Sequence, residues 1–238
     1  MAVIQSSFPR AFAAANAEPS ARAAFIRRTY GHLAGAIAAF VVLEYALLQT
    51  TLPRTMVEFL MRMPYGWLLF LGAFILVGWM ASSLAANAES RQTQYLGLGL
   101  YVVAEGILFA PLLFIAVHFS SPEVLPMAAM VTGLLFAGLT AVVFVTRKDF
   151  SFLRGILMIG GFVALGLILA GTFFGFRLGL AFSGGMILLA SGAILYDTSK
   201  VLHHYSTDQH VAAALELFAS VALLFWYVLR LFMQLNRQ

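Results

Sequence analysis

Seven long apolar runs constrain this chain more than any other feature of it. Residues 63–88, 124–146, 155–176 and 178–196 contain no Asp, Glu, Lys or Arg. Residues 29–53, 92–122 and 209–229 would match them but for one acid each, Glu44, Glu105 and Glu216. A helix of ~18 or more such residues crosses the ~30 Å hydrocarbon core of a bilayer. The runs are continuous, whereas a membrane strand alternates polar and apolar positions, so helices are expected rather than a barrel. Composition agrees: 62% of the 238 residues are hydrophobic and 10% are charged, against roughly 25% charged in an ordinary soluble domain. The expected fold is all-α, an integral membrane bundle of seven transmembrane helices over residues 29–238, preceded by a basic cytoplasmic arm at 1–28. No cleaved signal peptide is expected in that arm, because it has no adequate hydrophobic region.

The net charge of +4 lies mostly at span ends, where it is a topology signal rather than a nucleic-acid footprint. With the N-terminus inside, nine basic residues fall on the cytoplasmic side (Arg10, Arg22, Arg27, Arg28, Arg91, Arg147, Lys148, Arg154, Lys200) and five on the other (Arg54, Arg62, Arg177, Arg230, Arg237). The expectation is N-in and C-out, with the lipid bilayer as surroundings and no nucleic-acid partner. There is no cysteine, which removes disulfides and thiolate metal sites. Small residues along residues 155–196, among them Gly171, Gly175, Gly184 and Gly185, suggest that the fifth and sixth spans pack inside the bundle.

Ionisable groups inside the spans are the candidate functional residues, because an acid in mid-bilayer costs ~2.5–3.5 kcal/mol on insertion scales. In "SGAILYDTSK" Asp197 ends nineteen uncharged residues, with Lys200 at i+3, close enough to pair. Glu105 falls near the middle of the third span and needs a proton, a partner or water. Glu216 lies near the start of the seventh, where a helix N-terminus tolerates an acid. Glu44 is expected near the outer end of the first span, snorkelling to water. Enzyme chemistry is not expected and no catalytic residue is assigned. Tyr196-Asp197 lacks a second membrane aspartate, His-Glu-x-x-His is absent, and His32 and His118 stand isolated in the sequence. His203, His204 and His210 with Asp208 lack metal-ligand spacing and are expected in a solvated loop, so no metal and no cofactor is assigned.

Two stretches are specific enough to carry a resemblance. "VTRKDFSFLRGILMIGG" at 145–161 and "SGAILYDTS" at 191–199, with "RRTYGHLAG" at 27–35, resemble the signature segments of the Bax inhibitor-1/YccA family, and its bacterial YccA-like branch in particular. The resemblance implies a multi-pass protein of the bacterial inner membrane, with the sixth and seventh helices close together. In calcium-leak members it implies a pH-sensitive latch of two acids. Asp197 matches the first. "ALELFASVALLFWYVLRLF" at 214–232 puts Ser220 in the place of the second, with Glu216 one turn away. A serine there resembles the branch whose implied role is to bind and modulate the ATP-dependent membrane protease FtsH. The alternative is a pH-sensitive calcium or cation leak gated by Asp197 and the neighbouring carboxylates, with Ca2+ or H+ as the permeant ion.

Overall fold

A computed structural model describes residues 14–63, 65–87 and 90–236; the first thirteen residues of the expected arm lie outside them. Eight α-helices follow one another, and no strand occurs among the described residues. They are α1 (Pro19–Leu48), α2 (Leu52–Arg62), α3 (Gly66–Ala85), α4 (Arg91–Phe119), α5 (Val124–Thr146), α6 (Leu153–Phe174), α7 (Leu180–His203) and α8 (His210–Leu235). All but α2 are long and apolar enough to cross a membrane, seven in number as the sequence predicts.

The first span begins earlier than the expected Thr29. Pro19 stands in the first turn of α1, where its missing N–H costs nothing and its fixed φ suits the helix. Ten residues of the expected arm are thereby helical, and Phe25 is buried. The short α2 is absent from the expected elements. Pro53 starts it instead of only ending the first span, and it packs on α1, α3 and α4.

The bundle is organised round α8, which touches α1, α3, α4, α5 and α7. Its Ala213, Leu217, Leu224 and Leu229 are wholly enclosed. Aromatic rings lock it to α4 and α1: Phe109 stacks on Phe225 at 5.7 Å, meets Trp226 edge-on at 4.9 Å and meets Phe40 edge-on at 5.1 Å, geometries favoured by the ring quadrupole. Trp67, suited by type to the interface belt, instead stacks on Trp226.

The expectation that the fifth span packs inside the bundle needs correction. Helix α6 packs chiefly on α7 and buries only Ala164 and Gly171. Its glycines serve other purposes. Gly175, at φ 74°, ends the helix in the left-handed conformation that an L side chain resists. A Cβ at Gly171 would lie 3.2 Å from the carbonyl of Phe176 in the α6–α7 hairpin. The closest approach of a glycine to a neighbouring helix's backbone is elsewhere, between α3 and α4, where Gly97 lies directly on the backbone of Ala81 and Ala85.

Candidate functional site

Antiparallel packing of α7 on α8 brings the polar residues of "SGAILYDTSK" against the first half of α8. The Ser220 hydroxyl donates to Asp197 Oδ2 at 2.6 Å, and both residues are buried. One turn along, Lys200 Nζ donates to Glu216 Oε2 in an ion pair. The Lys200 ammonium also lies 5.4 Å and 4.9 Å from the ring centroids of Tyr196 and Tyr205, within cation–π range. Lys200 therefore pairs with Glu216 and not with Asp197, its i+3 neighbour. Glu216 stands seven residues into α8 and not in its first turn. The two polar contacts clasp α7 to α8 at successive turns.

Glu105 stands on α4, which also packs on α8. It lines a cavity of about 930 Å³ that runs from Arg177 and Leu178 in the α6–α7 hairpin inward to Ser220. Asp197 stands behind Ser220, outside the cavity lining. The hairpin is tethered to α8, since Arg230 Nη2 and Gln234 Nε2 donate to the Leu178 carbonyl at 3.3 Å and 3.5 Å. Tyr101, one turn earlier on α4, lines the same cavity.

Glu44 corrects its expectation. It does not snorkel: it is 4% exposed, and its charge would act directly on Glu105. Its Oε1 lies 3.6 Å from the position a Cβ on Gly106 would take. Both Glu44 carboxyl oxygens and Glu105 Oε2 are buried without a hydrogen-bond partner. The enclosed face of α1 runs Phe25, Thr29, Leu33, Ala36, Phe40, Glu44, steps of three and four that mark one side of a helix.

The histidines also depart from expectation. His204 Nε2 lies 3.1 Å from Asp149 Oδ2. His210 is 2% exposed, and its ring lies 5.0 Å from that of His32, which stacks on Tyr95 at 5.4 Å. His32 is therefore not isolated, and His210 is not in a solvated loop; the middle of α1 meets the starts of α4 and α8 there. Among the described residues no three metal-ligating side chains gather.

Asp149 explains why the stretches 145–161 and 191–199 belong together. The loop "TRKD" leaves α5 through Arg147, whose φ of 51° turns the chain sharply. Asp149 Oδ1 then accepts from Ser151 N at 2.9 Å and Ser199 Oγ at 3.2 Å, while Phe150 N donates to Ser199 Oγ at 2.8 Å. Slight burial raises the Asp149 pKa, but the donors Ser151 and His204 outweigh it and hold the carboxyl below its ordinary value. A depressed folded pKa contributes stability that is present above the unfolded value and lost as pH falls through the folded one. Both side chains of the pair are nearly half exposed, so Asp149→Asn is expected to cost no more than ~1 kcal/mol at neutral pH. Melting temperatures in detergent at pH 7 and at about pH 3 check this: the gap between variant and parent closes at the lower pH.

Comparison with known proteins completes the description. Residues 22–237 match the family described as "Inhibitor of apoptosis-promoting Bax1". An uncharacterized protein of Pseudomonas aeruginosa is 33% identical over 208 residues, 87% of each chain. Bax inhibitor 1 of Schizosaccharomyces pombe is 30% identical over 218 residues, 89% of this chain and 77% of that one. An Escherichia coli protein named "Modulator of FtsH protease YccA" is 38% identical over 117 residues, 49% of this chain and 53% of that one. Seven helices able to span a membrane, the α7–α8 pairing and a match over most of the chain make this a multi-pass membrane protein of the Bax inhibitor-1 family.

Proposed function

We propose that the chain is a regulator in the bacterial inner membrane that acts by binding an FtsH-type ATP-dependent membrane protease. The observation that carries this is its 38% identity with the protein named as a modulator of that protease. A further E. coli relative at the same identity is named "Inner membrane protein YccA", which supports the location. The distribution of basic residues, nine against five, supports a cytoplasmic start of α1 and a C-terminus on the other side. Arg22, Arg27 and Arg28 in the first turns of α1 are then on the cytoplasmic side. No catalytic role is assigned to any residue of this chain.

A second reading, a pH-gated calcium or cation leak, is favoured by one feature. The cavity reaches Glu105 and Ser220, and Ser220 is bonded to Asp197, so opening the α7–α8 clasp would extend a polar route past Asp197, Lys200 and Glu216. Ser220 weakens this reading, because a hydroxyl cannot carry the second charge of a two-acid latch.

One pair of measurements separates the two. Tagged full-length chain, extracted from native membranes in mild detergent, is expected to co-purify FtsH, and its absence while a known FtsH partner is recovered in parallel defeats the first reading. In liposomes loaded with a calcium dye the leak reading requires flux that rises or falls with pH and is altered in Asp197→Asn. Flux absent at every pH, or unchanged in that variant, defeats the second.

A further inference from the structure

The convergence of α1, α4 and α8 leaves a feature that neither functional reading uses. A groove of about 620 Å³ runs between α1 and α4 on the outside of the bundle, within the size range of ligand sites. Gly31, Gly35 and Gly99 line it, with Leu43 and Val103 further along. At those three glycines a Cβ would meet nothing within 4 Å, so the groove is open space and not a close helix contact.

One end of the groove is cationic. Arg28, His32 and Tyr95 line it there, and Arg28, Arg91 and His32 surround the His210 ring. His32 donates Nδ1–H to the Arg28 carbonyl at 2.6 Å, which turns Nε2 toward the Tyr95 hydroxyl at 3.3 Å. Among the described residues no carboxylate pairs with Arg28 or Arg91, and Asp208 is the one acid whose field reaches His210. His210, 98% enclosed by its 2% exposure, keeps Nδ1 without a hydrogen-bond partner. Positive charge thus collects at the head of a slot walled by small residues, with Arg28 in its lining and Arg91 acting nearby.

We propose that this groove binds one anionic phospholipid, with the phosphate held by the Arg28 guanidinium in the added positive field of Arg91 and one acyl chain lying along Gly31, Gly35 and Gly99. Charge complementarity selects the headgroup, since juxtamembrane arginines attract anionic lipid. The open slot selects a lipid over a free anion, because in a bilayer an unfilled apolar groove loses dispersion contacts that a chain restores.

The test uses the full chain in detergent, with dioleoyl phosphatidylglycerol and dioleoyl phosphatidylcholine as probes and native mass spectrometry as readout. Phosphatidylglycerol is expected to be retained about tenfold better than phosphatidylcholine, and Arg28→Gln with Arg91→Gln to remove that preference. Gly35→Leu keeps every charge and fills the slot where there is room for a side chain, so its melting temperature is expected to hold while lipid retention falls about tenfold. Equal retention of both lipids by the parent overturns the proposal. So does undiminished retention in Gly35→Leu, which remains decisive if the arginine variant fails to fold. A dimer that Gly35→Leu disperses, with no lipid retained by the parent, also overturns it and gives the groove to a second copy.

Discussion

Gly97→Ala is expected to destabilise the bundle by about 3 kcal/mol, and Gly97→Val to abolish folded protein. A Cβ at this position would stand 2.5 Å from Ala85 N and 2.6 Å from Ala81 O, distances that real contacts do not tolerate. The obstruction is backbone, so no rotamer change relieves it; α3 and α4 must separate. That contact holds α3 to the bundle, because α3 otherwise touches α8 and α2 far less extensively. Separation would also draw Gly78 from the ring of Tyr101, whose Cε2 lies 3.5 Å from a Cβ built there. Gly133→Ala is the control. It lies in α5 with nothing within 4 Å of a Cβ, and replacing a helical glycine by alanine there is expected to raise stability by ~0.5–1 kcal/mol. Thermal melts of detergent-purified protein, with yield of the monodisperse peak, measure both. Equal melting temperatures for Gly97→Ala and Gly133→Ala would show that α3 and α4 do not meet through their backbones.

The same contrast shows where sequence reasoning reaches its limit. Membrane spans were legible because length and apolarity are properties of a segment alone. The family segments were legible for a related reason: "TRKDFSF" and "ILYDTS" are long, specific strings, and the structure joins them through Asp149 and Ser199. Glycine spacing was not legible. Gly31 and Gly35 have the spacing of a helix contact yet face an open groove, whereas Gly97 lies on a neighbouring helix's backbone with no glycine four residues away. A spacing rule reports that helices can approach, and only the partner decides whether they do. Helix α2 was missed because Pro53 reads equally as the end of one element and the start of another. Among the candidate site residues, Asp197 and Ser220 do face each other, a pairing implied by resemblance. Lys200 took a cross-helix acid over its own i+3 neighbour, a choice local spacing cannot make. Glu44 was the hardest. The helix carrying it is apolar all round from Leu33 to Leu43, so the stripe that points inward does not stand out from the stripes that face lipid.

That buried acid supports the second strong expectation: Glu44→Met should stabilise the protein by ~1–3 kcal/mol. Methionine has about the same length and volume, so the change removes polarity with little change in packing. What it removes is costly. Both carboxyl oxygens are enclosed without a donor among the described residues, and another acid, Glu105, acts on it with like charge. Glu105→Met should gain less or lose. Glu105 lines the cavity, where its side chain borders open space instead of packed neighbours. The order of melting temperatures is therefore Glu44→Met above the parent, with Glu105→Met below Glu44→Met. A lower melting temperature for Glu44→Met would mean that the carboxyl has a stabilising partner after all. If the gain is found, Glu44 is a residue kept at a cost to stability, beside a cavity that ends at Glu105 and Ser220. Activity lost in a variant that folds better than its parent separates a functional acid from a structural one, and Glu44→Met is the substitution at which the two can be told apart.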